Sequence, residues 1–292
     1  MPAIHAYAVS GQLLGLPGLG AGTGAFRVHS VFPHGVNLAV SGRLVFVGDR
    51  RGDTPPYGVC VPEGQLSLLE VAPGDEIHWT RADMRFTGSR FALCLAGAAQ
   101  VDNRLSRAGD AGQSGQFGPT GRPEKGSEAW REALCAMTGF GIPVGEAADP
   151  ARAGNPELRG CLMNRDSAHV QGVLKRWVGA GPGLTPSGDD FLAGLLLADH
   201  VCPAPLIVGS VFKEVLQGLL REGYTTDVGR HYLECALEGL ASESWIQLVV
   251  HGCLAGDVPA QRDGLSQVLS LGHTSGADTL AGFLYGIQIW TR

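Results

Sequence analysis

Lysine is nearly absent from this chain. Its 292 residues include Lys125, Lys175 and Lys213 against nineteen arginines scattered along the sequence, and the net charge is −6. No basic stripe is available to neutralise a phosphate backbone, which excludes nucleic acid as a partner. Long apolar runs are missing too. The longest begins at Phe191 and is stopped by Asp199 and His200, far short of the ~20 residues a membrane span requires, so no membrane partner is expected. The cysteines at 60, 94, 135, 161, 202, 235 and 253 contain no C-x-x-C pair and are odd in number, and no secretory leader is read ahead of them. The expectation is a reduced, cytoplasmic setting in which most thiols are small buried hydrophobes. A G-x-x-x-x-G-K-[ST] loop is also lacking, which removes ATP chemistry of the P-loop kind.

What is present is ordinary for a globular protein, with 44% hydrophobic and 17% charged residues. The pattern predicts an α+β protein: a small N-terminal antiparallel β domain followed by a mainly α-helical C-terminal domain. From Phe26 to about Leu95 short apolar stretches alternate with turns, at Ser41-Gly42, Pro62-Glu63-Gly64 and Pro73-Gly74-Asp75. Residues 1–100 are assigned to this β domain. Residues 101–126, rich in Gly, Ala, Gln, Ser, Arg and Asp without periodicity, read as a connector or mobile loop. From 127 to 292 the period is helical: Trp130, Leu134 and Met137 fall at i, i+4, i+7, as do Val211, Val215 and Leu219. Further helices fit 167–178, 188–200, 227–240, 243–254, 260–271 and 276–290.

The most informative stretch is GPGLTPSGDDFLAG, residues 181–194, with a degenerate copy, GHTSGADTLAG, at 272–282. Aligning Ser187 with Ser275 also pairs Gly188 with Gly276, Asp190 with Asp278, Leu192 with Leu280, Ala193 with Ala281 and Gly194 with Gly282. In each copy the Ser can act as N-cap and the Asp three residues on can reach back to it, a capping box with Asp in place of Glu. The TPSGDD and HTSGAD segments therefore start two helices, and a purely structural role accounts for all four of these Ser and Asp residues.

That role does not account for Asp189, whose counterpart is Ala277, or for His273, whose counterpart is Thr185. Nor does a cap require Gly181, Gly183 and Gly188 together, whereas a ligand approaching backbone N–H groups does need positions without Cβ. Two such starts facing one another would form a pocket of amide donors for an anion, with His273 and Thr185 at its rim. Carboxylates on the same turn oppose an anion there. Either Mg²⁺ bridges Asp189 to a phosphate oxygen, or Asp189 accepts hydrogen bonds from an amide or carbamoyl NH₂ of a ligand that is part anion, part amide.

Together with V-H-S-V-F-x-x-x-V-N-L at 28–38, these two motifs resemble a bacterial family once carried as a domain of unknown function and now associated with a subunit of oxamate carbamoyltransferase, AllH, in anaerobic allantoin breakdown. The likeness spans most of the chain. It implies a hetero-oligomeric enzyme that moves a carbamoyl group between oxalurate and phosphate, giving oxamate and carbamoyl phosphate, with other protein subunits as partners. By position, the resemblance marks Gly183, Thr185, Ser187, Gly188, Asp189 and Asp190, then His273, Thr274, Ser275, Gly276 and Asp278, with His29, Ser30 and Asn37 from the β domain. At the segment starting Thr225, Gly229 stands where the resemblance leads one to expect serine. For oxalurate phosphorolysis the protein must position two anions and give a proton to the leaving nitrogen. Asp189 and His273 are the catalytic candidates, His273 as that proton donor.

Other signals are weaker. GLPGLGAGTG at 15–24 lacks the spacing and the following helix of a dinucleotide loop. His231 with Glu234, or His200 beside Asp199, lacks the third ligand of a metal site. Arg50 and Arg51, with Asp53, form a charged turn, where an arginine could clamp the carboxylate of oxamate. Two other functions fit the same residues: a non-catalytic subunit or sensor that binds carbamoyl phosphate or oxamate, and an acyl or carboxyl transferase on another substrate.

Overall fold

The computed structural model describes residues 3–17, 19, 22–49, 53–105, 128–152, 155–202 and 207–291. The connector expected at 101–126 falls mostly outside the described residues, and so do Arg50 and Arg51 and part of the 15–24 glycine-rich stretch. Contacts divide the chain into two compact units, Met1–Asn103 and Arg104–Arg292.

The first unit is a ten-stranded sheet. Its strands are β1 (Ala3–His5), β2 (Ala8–Ser10), β3 (Thr23–Phe32), β4 (Gly35–Val40), β5 (Arg43–Gly48), β6 (Val59–Cys60), β7 (Glu76–Thr80), β8 (Arg85–Thr87), β9 (Ala92–Cys94) and β10 (Ala99–Val101), in the order β1-β9-β8-β7-β3-β4-β5-β6-β2-β10. The predicted antiparallel sheet is in fact mixed. The β1–β9, β5–β6 and β2–β10 pairs run parallel, while β3–β4–β5 and β7–β8–β9 are antiparallel. Turn residues in the sequence specify only pairs joined by tight turns. Ser41 and Gly42, with φ of 47° and 80°, have the positive values that a two-residue β4–β5 turn needs. The parallel pairs join strands distant in sequence, which no local pattern encodes. Only Ala6 and Tyr7 separate β1 from β2, yet these lie towards opposite ends of the strand order, so the sheet curls round on itself. Phe26, Trp79 and Phe86 fill its inner face. Leu66–Leu69, within the stretch read as strands, is a short 3₁₀ turn.

The second unit is helical: α1 (Glu128–Cys135), α2 (Val144–Ala147), α3 (Asn155–Cys161), α4 (Ser167–Leu174), α5 (Ser187–Val201), α6 (Ser210–Arg221), α7 (Asp227–Leu237), α8 (Glu243–Ile246), α9 (Val258–Leu269) and α10 (Ser275–Trp290), with a π-helical stretch Gln247–Leu254 continuing α8. Helices α5 and α10 are buried over most of their length and carry the centre of the core. Trp177, Phe191 and Tyr285 stack in succession there, with ring centroids 4.9 and 5.4 Å apart. In α6 the buried stripe is Phe212, Leu216, Leu219 and Leu220, one position round from the expected Val211 and Val215. In α1 only Trp130 of the expected stripe is buried. Leu134 and Met137 are exposed, and Met137 has left the helix to pair with Pro143. Among the described residues no helix is long and apolar enough to cross a membrane. Cys60, Cys94, Cys161, Cys202 and Cys235 are buried free thiols and Cys135 is exposed; burial pushes the Cys161 and Cys202 thiols up to about 12.

Candidate functional site

The two copies of the repeated turn begin the two central helices, and those helices touch backbone to backbone. A Cβ on Gly194 would collide with the Thr279 carbonyl, and a Cβ on Gly282 would collide with the Phe191 carbonyl. In the register of the repeat Gly194 matches Gly282 and Phe191 matches Thr279, so the contact is its own image under exchange of the two helices. Only glycine permits so close an approach. Both helix starts then lie side by side, and the Thr185 and Ser275 hydroxyls meet at 2.8 Å.

This proximity rewrites the expected capping. The N-cap positions are Pro186 and Thr274, neither of which makes a side-chain cap bond, and Ser187 and Ser275 are the first helical residues. The aspartates turn to the opposite helix instead. Asp190 of α5 faces the Ser275 hydroxyl of α10, with Thr185 beside it, whereas Asp278 of α10 faces the Ser187 hydroxyl of α5, with Thr274 beside it. A hydroxyl across the interface replaces the local cap because the glycine contact brings it within reach. Asp278 Oδ1 also accepts the Gly139 N–H at 2.9 Å, and a Cβ on Gly139 would strike the Ser187 hydroxyl. Sequence reading missed this turn, Thr138–Gly141. Its glycines were the available signal, although their partner lies 139 positions away.

Asp189 is engaged on both oxygens. Oδ1 accepts the Gly179 N–H at 2.7 Å and Oδ2 accepts the Thr225 hydroxyl. Thr226 donates to the Leu184 carbonyl and also caps α7, accepting the Gly229 N–H at 2.9 Å. A side chain at 229 would strike Asp189 and Thr225, which gives glycine a place there. The helix start at Thr225 is thus a third wall of the same cluster.

All three carboxyls are buried, Asp189 to 2%, Asp190 to 7% and Asp278 to 0% exposure. Each is pushed above the ordinary carboxylate range chiefly by burial. The rise is large for Asp190, where the neighbouring charges of Asp278 and Asp189 add to burial and the Ser275 and Thr185 hydroxyls oppose it. Two adjacent helix N-termini supply partial positive charge, about half a unit each, which offsets part of the cost of burying these acids. Asp190 Oδ2 and Asp278 Oδ2 are buried without a hydrogen-bond partner.

The amides expected to receive an anion are largely occupied. The N–H groups of Gly188, Asp189, Asp190, Gly276 and Asp278 donate to the carbonyls of Ala180, Pro186, Pro186, Leu271 and Thr274. The face presents hydroxyls and carboxyls instead, under the exposed residues Gly181–Leu184 and Gly272–His273. His273 makes no hydrogen bond to a described residue. Mg²⁺ at Asp189 does not fit, since the carboxyl is buried to 2% exposure against Gly179 and Thr225 and among the described residues no group of three or more His, Cys, Asp and Glu is arranged to hold a metal ion.

In the first unit His29, Ser30 and Asn37 meet across β3 and β4. Ser30 Oγ lies 3.0 Å from His29 Nδ1 and accepts from Asn37 Nδ2 at 3.2 Å, beside the register shift between Val28 and Ser30. The weaker candidates take structural places: Asp199 accepts from Ile207 N, Val208 N and Lys213 Nζ, His200 lies 3.1 Å from the Leu237 carbonyl, and His231 packs on Cys235.

A curled mixed sheet followed by a helical unit built on two paired glycine-contact helices defines an α+β protein of two units. Comparison with known families places it further. Residues 8–100 match the AllH family N-terminal domain and residues 177–287 match the oxamate carbamoyltransferase subunit AllH. The chain belongs to the AllH family. No solved structure matches it.

Proposed function

We propose that this chain serves as the AllH-type subunit of an oxamate carbamoyltransferase complex and binds the carbamoyl-bearing anion at the paired starts of α5 and α10. The observation that carries this reading is the Thr185–Ser275 hydroxyl pair, which joins the two starts at 2.8 Å beneath exposed glycine-rich turns. Thr185, Ser187, Thr274 and Ser275 provide hydroxyls suited to anionic oxygens, and Gly183, where a Cβ would meet nothing within 4 Å, leaves room for the approach, whereas Gly188 and Gly276 are packed against the Trp177 and Val268 carbonyls.

In the reaction a phosphate oxygen attacks the carbamoyl carbon of oxalurate. The carbon–nitrogen bond to the oxamate half breaks, its electron pair passes to nitrogen, and that nitrogen takes a proton, leaving oxamate and carbamoyl phosphate. His273, at the exposed rim, is the proton donor in this reading.

The test is phosphorolysis of oxalurate by the complex assembled with wild-type chain or with Thr185→Val or Ser275→Ala. Loss of turnover in folded variants supports the site; full activity in both removes it. A second reading, a binding subunit whose chemistry occurs in a partner, is favoured by Asp189, the catalytic candidate, which is buried to 2% exposure and held by Gly179 and Thr225. Carbamoyl phosphate binding with no effect of His273→Gln on turnover would decide for that reading.

A further inference from the structure

We propose that the unpartnered oxygens of Asp190 and Asp278 are the acceptors for the carbamoyl NH₂ of the ligand. This inference rests on the function proposed above and assigns the group of the substrate that the site selects.

Asp190 Oδ2 and Asp278 Oδ2 are each buried without a partner, an arrangement that costs about 1–3 kcal/mol when nothing fills it. Both belong to the first turn of a helix, where the positive end of the helix disfavours a bound cation. Both are carboxyl oxygens, which disfavours an anionic oxygen at the same point. A neutral N–H donor offends neither condition. A primary amide nitrogen carries two such protons, and exchange of the two helices supplies two such acceptors.

The two halves are distinguished by Gly139. Its N–H fixes Asp278 Oδ1 at 2.9 Å, which leaves the buried Oδ2 as the oxygen without a partner. Asp190 has no matching backbone donor among the described residues, and its Thr185 and Ser275 hydroxyls are half-buried, so the ligand side of the cluster lies there.

The experiment is calorimetric titration of the full chain with two isosteric pairs in which a methyl group replaces NH₂: carbamoyl phosphate against acetyl phosphate, which carries the test, and oxamate against pyruvate, whose NH₂ is the leaving nitrogen and which serves as the control. Wild type is expected to prefer carbamoyl phosphate over acetyl phosphate at least about tenfold, because the methyl analogue leaves buried acceptors unpaired. In Asp278→Asn the Gly139 N–H keeps the amide oxygen at Oδ1 and puts an NH₂ at the Oδ2 position, so the preference should disappear. Equal affinities for carbamoyl phosphate and acetyl phosphate in wild type would overturn this inference and leave the proposed function standing, whereas no binding of any of the four would overturn both. A folded Asp278→Asn that keeps the wild-type preference would overturn the assignment to Asp278. Where that variant fails to fold, the wild-type ratio alone decides.

Discussion

Asp189 receives the Thr225 hydroxyl from a helix start 36 positions further along the chain. The bond ties the 181–190 turn to α7, and its acceptor is almost wholly buried. Thr225→Val removes the donor while keeping the shape and leaves a carboxyl oxygen unsatisfied, so the expected loss is about 1–3 kcal/mol. Thr225→Ser restores the hydroxyl and should recover most of it. Thermal unfolding of the three proteins checks this. Equal midpoints for the Val and Ser variants would show that the bond contributes nothing.

The exchange symmetry of Gly194 and Gly282 gives a second expectation. Each would drive a Cβ into a backbone carbonyl of the other helix, and backbone cannot swing aside as a side chain does. Gly194→Ala and Gly282→Ala should each cost at least the 1–3 kcal/mol typical of overpacking. Gly172 in α4 is the control. A Cβ there meets nothing within 4 Å, and Ala in a helix interior is favoured over Gly by roughly 1 kcal/mol, so Gly172→Ala should be neutral or stabilising. Denaturant midpoints for the three variants test the contrast.

These two cases also show what a sequence can convey. The helix starts at Ser187 and Ser275 are legible because the pattern is written twice, and the 3.6 period marks α4 to α10 without help. The partners of the aspartates are not legible. Gly139 and Thr225 reach Asp278 and Asp189 across 139 and 36 positions of sequence, and a local capping rule assigns Ser187 and Asp190 to one another when each serves the other helix. The parallel edges of the sheet fail to show for the same reason, since turns record only neighbours. In α6 the stripe is offset because Val211 and Phe212 are both apolar, and packing selects the larger ring.

The pH dependence follows from Asp190. Its carboxyl in the folded chain is raised well above its ordinary value of 3.8, by burial first and then by Asp278 and Asp189. The folded state therefore holds a proton that the unfolded chain releases as pH rises above that value. The associated stability is fully present below 3.8 and is lost as pH climbs through the raised value. Asp190→Asn keeps the shape and removes the titration. It should be less sensitive to pH than wild type between pH 4 and 8, with its relative advantage growing towards the upper end. Unfolding free energies at several pH values give the comparison, and parallel curves for the two proteins would show that Asp190 stays ionised in the fold.

His273 stands apart from the buried acids. It is exposed and makes no bond to a described residue, so His273→Gln should change stability by no more than about 0.5 kcal/mol. As proton donor to the departing oxamate nitrogen it should matter greatly to turnover, since general acid catalysis contributes roughly 10²–10⁴-fold. The two readouts separate its roles. A fall in kcat for oxalurate phosphorolysis at unchanged Tm, with carbamoyl phosphate affinity retained, assigns chemistry to His273. Weakened binding at unchanged kcat assigns it to ligand contact instead. No change in either removes it from the site and decides for the reading in which this chain binds the carbamoyl-bearing anion and a partner carries out the transfer.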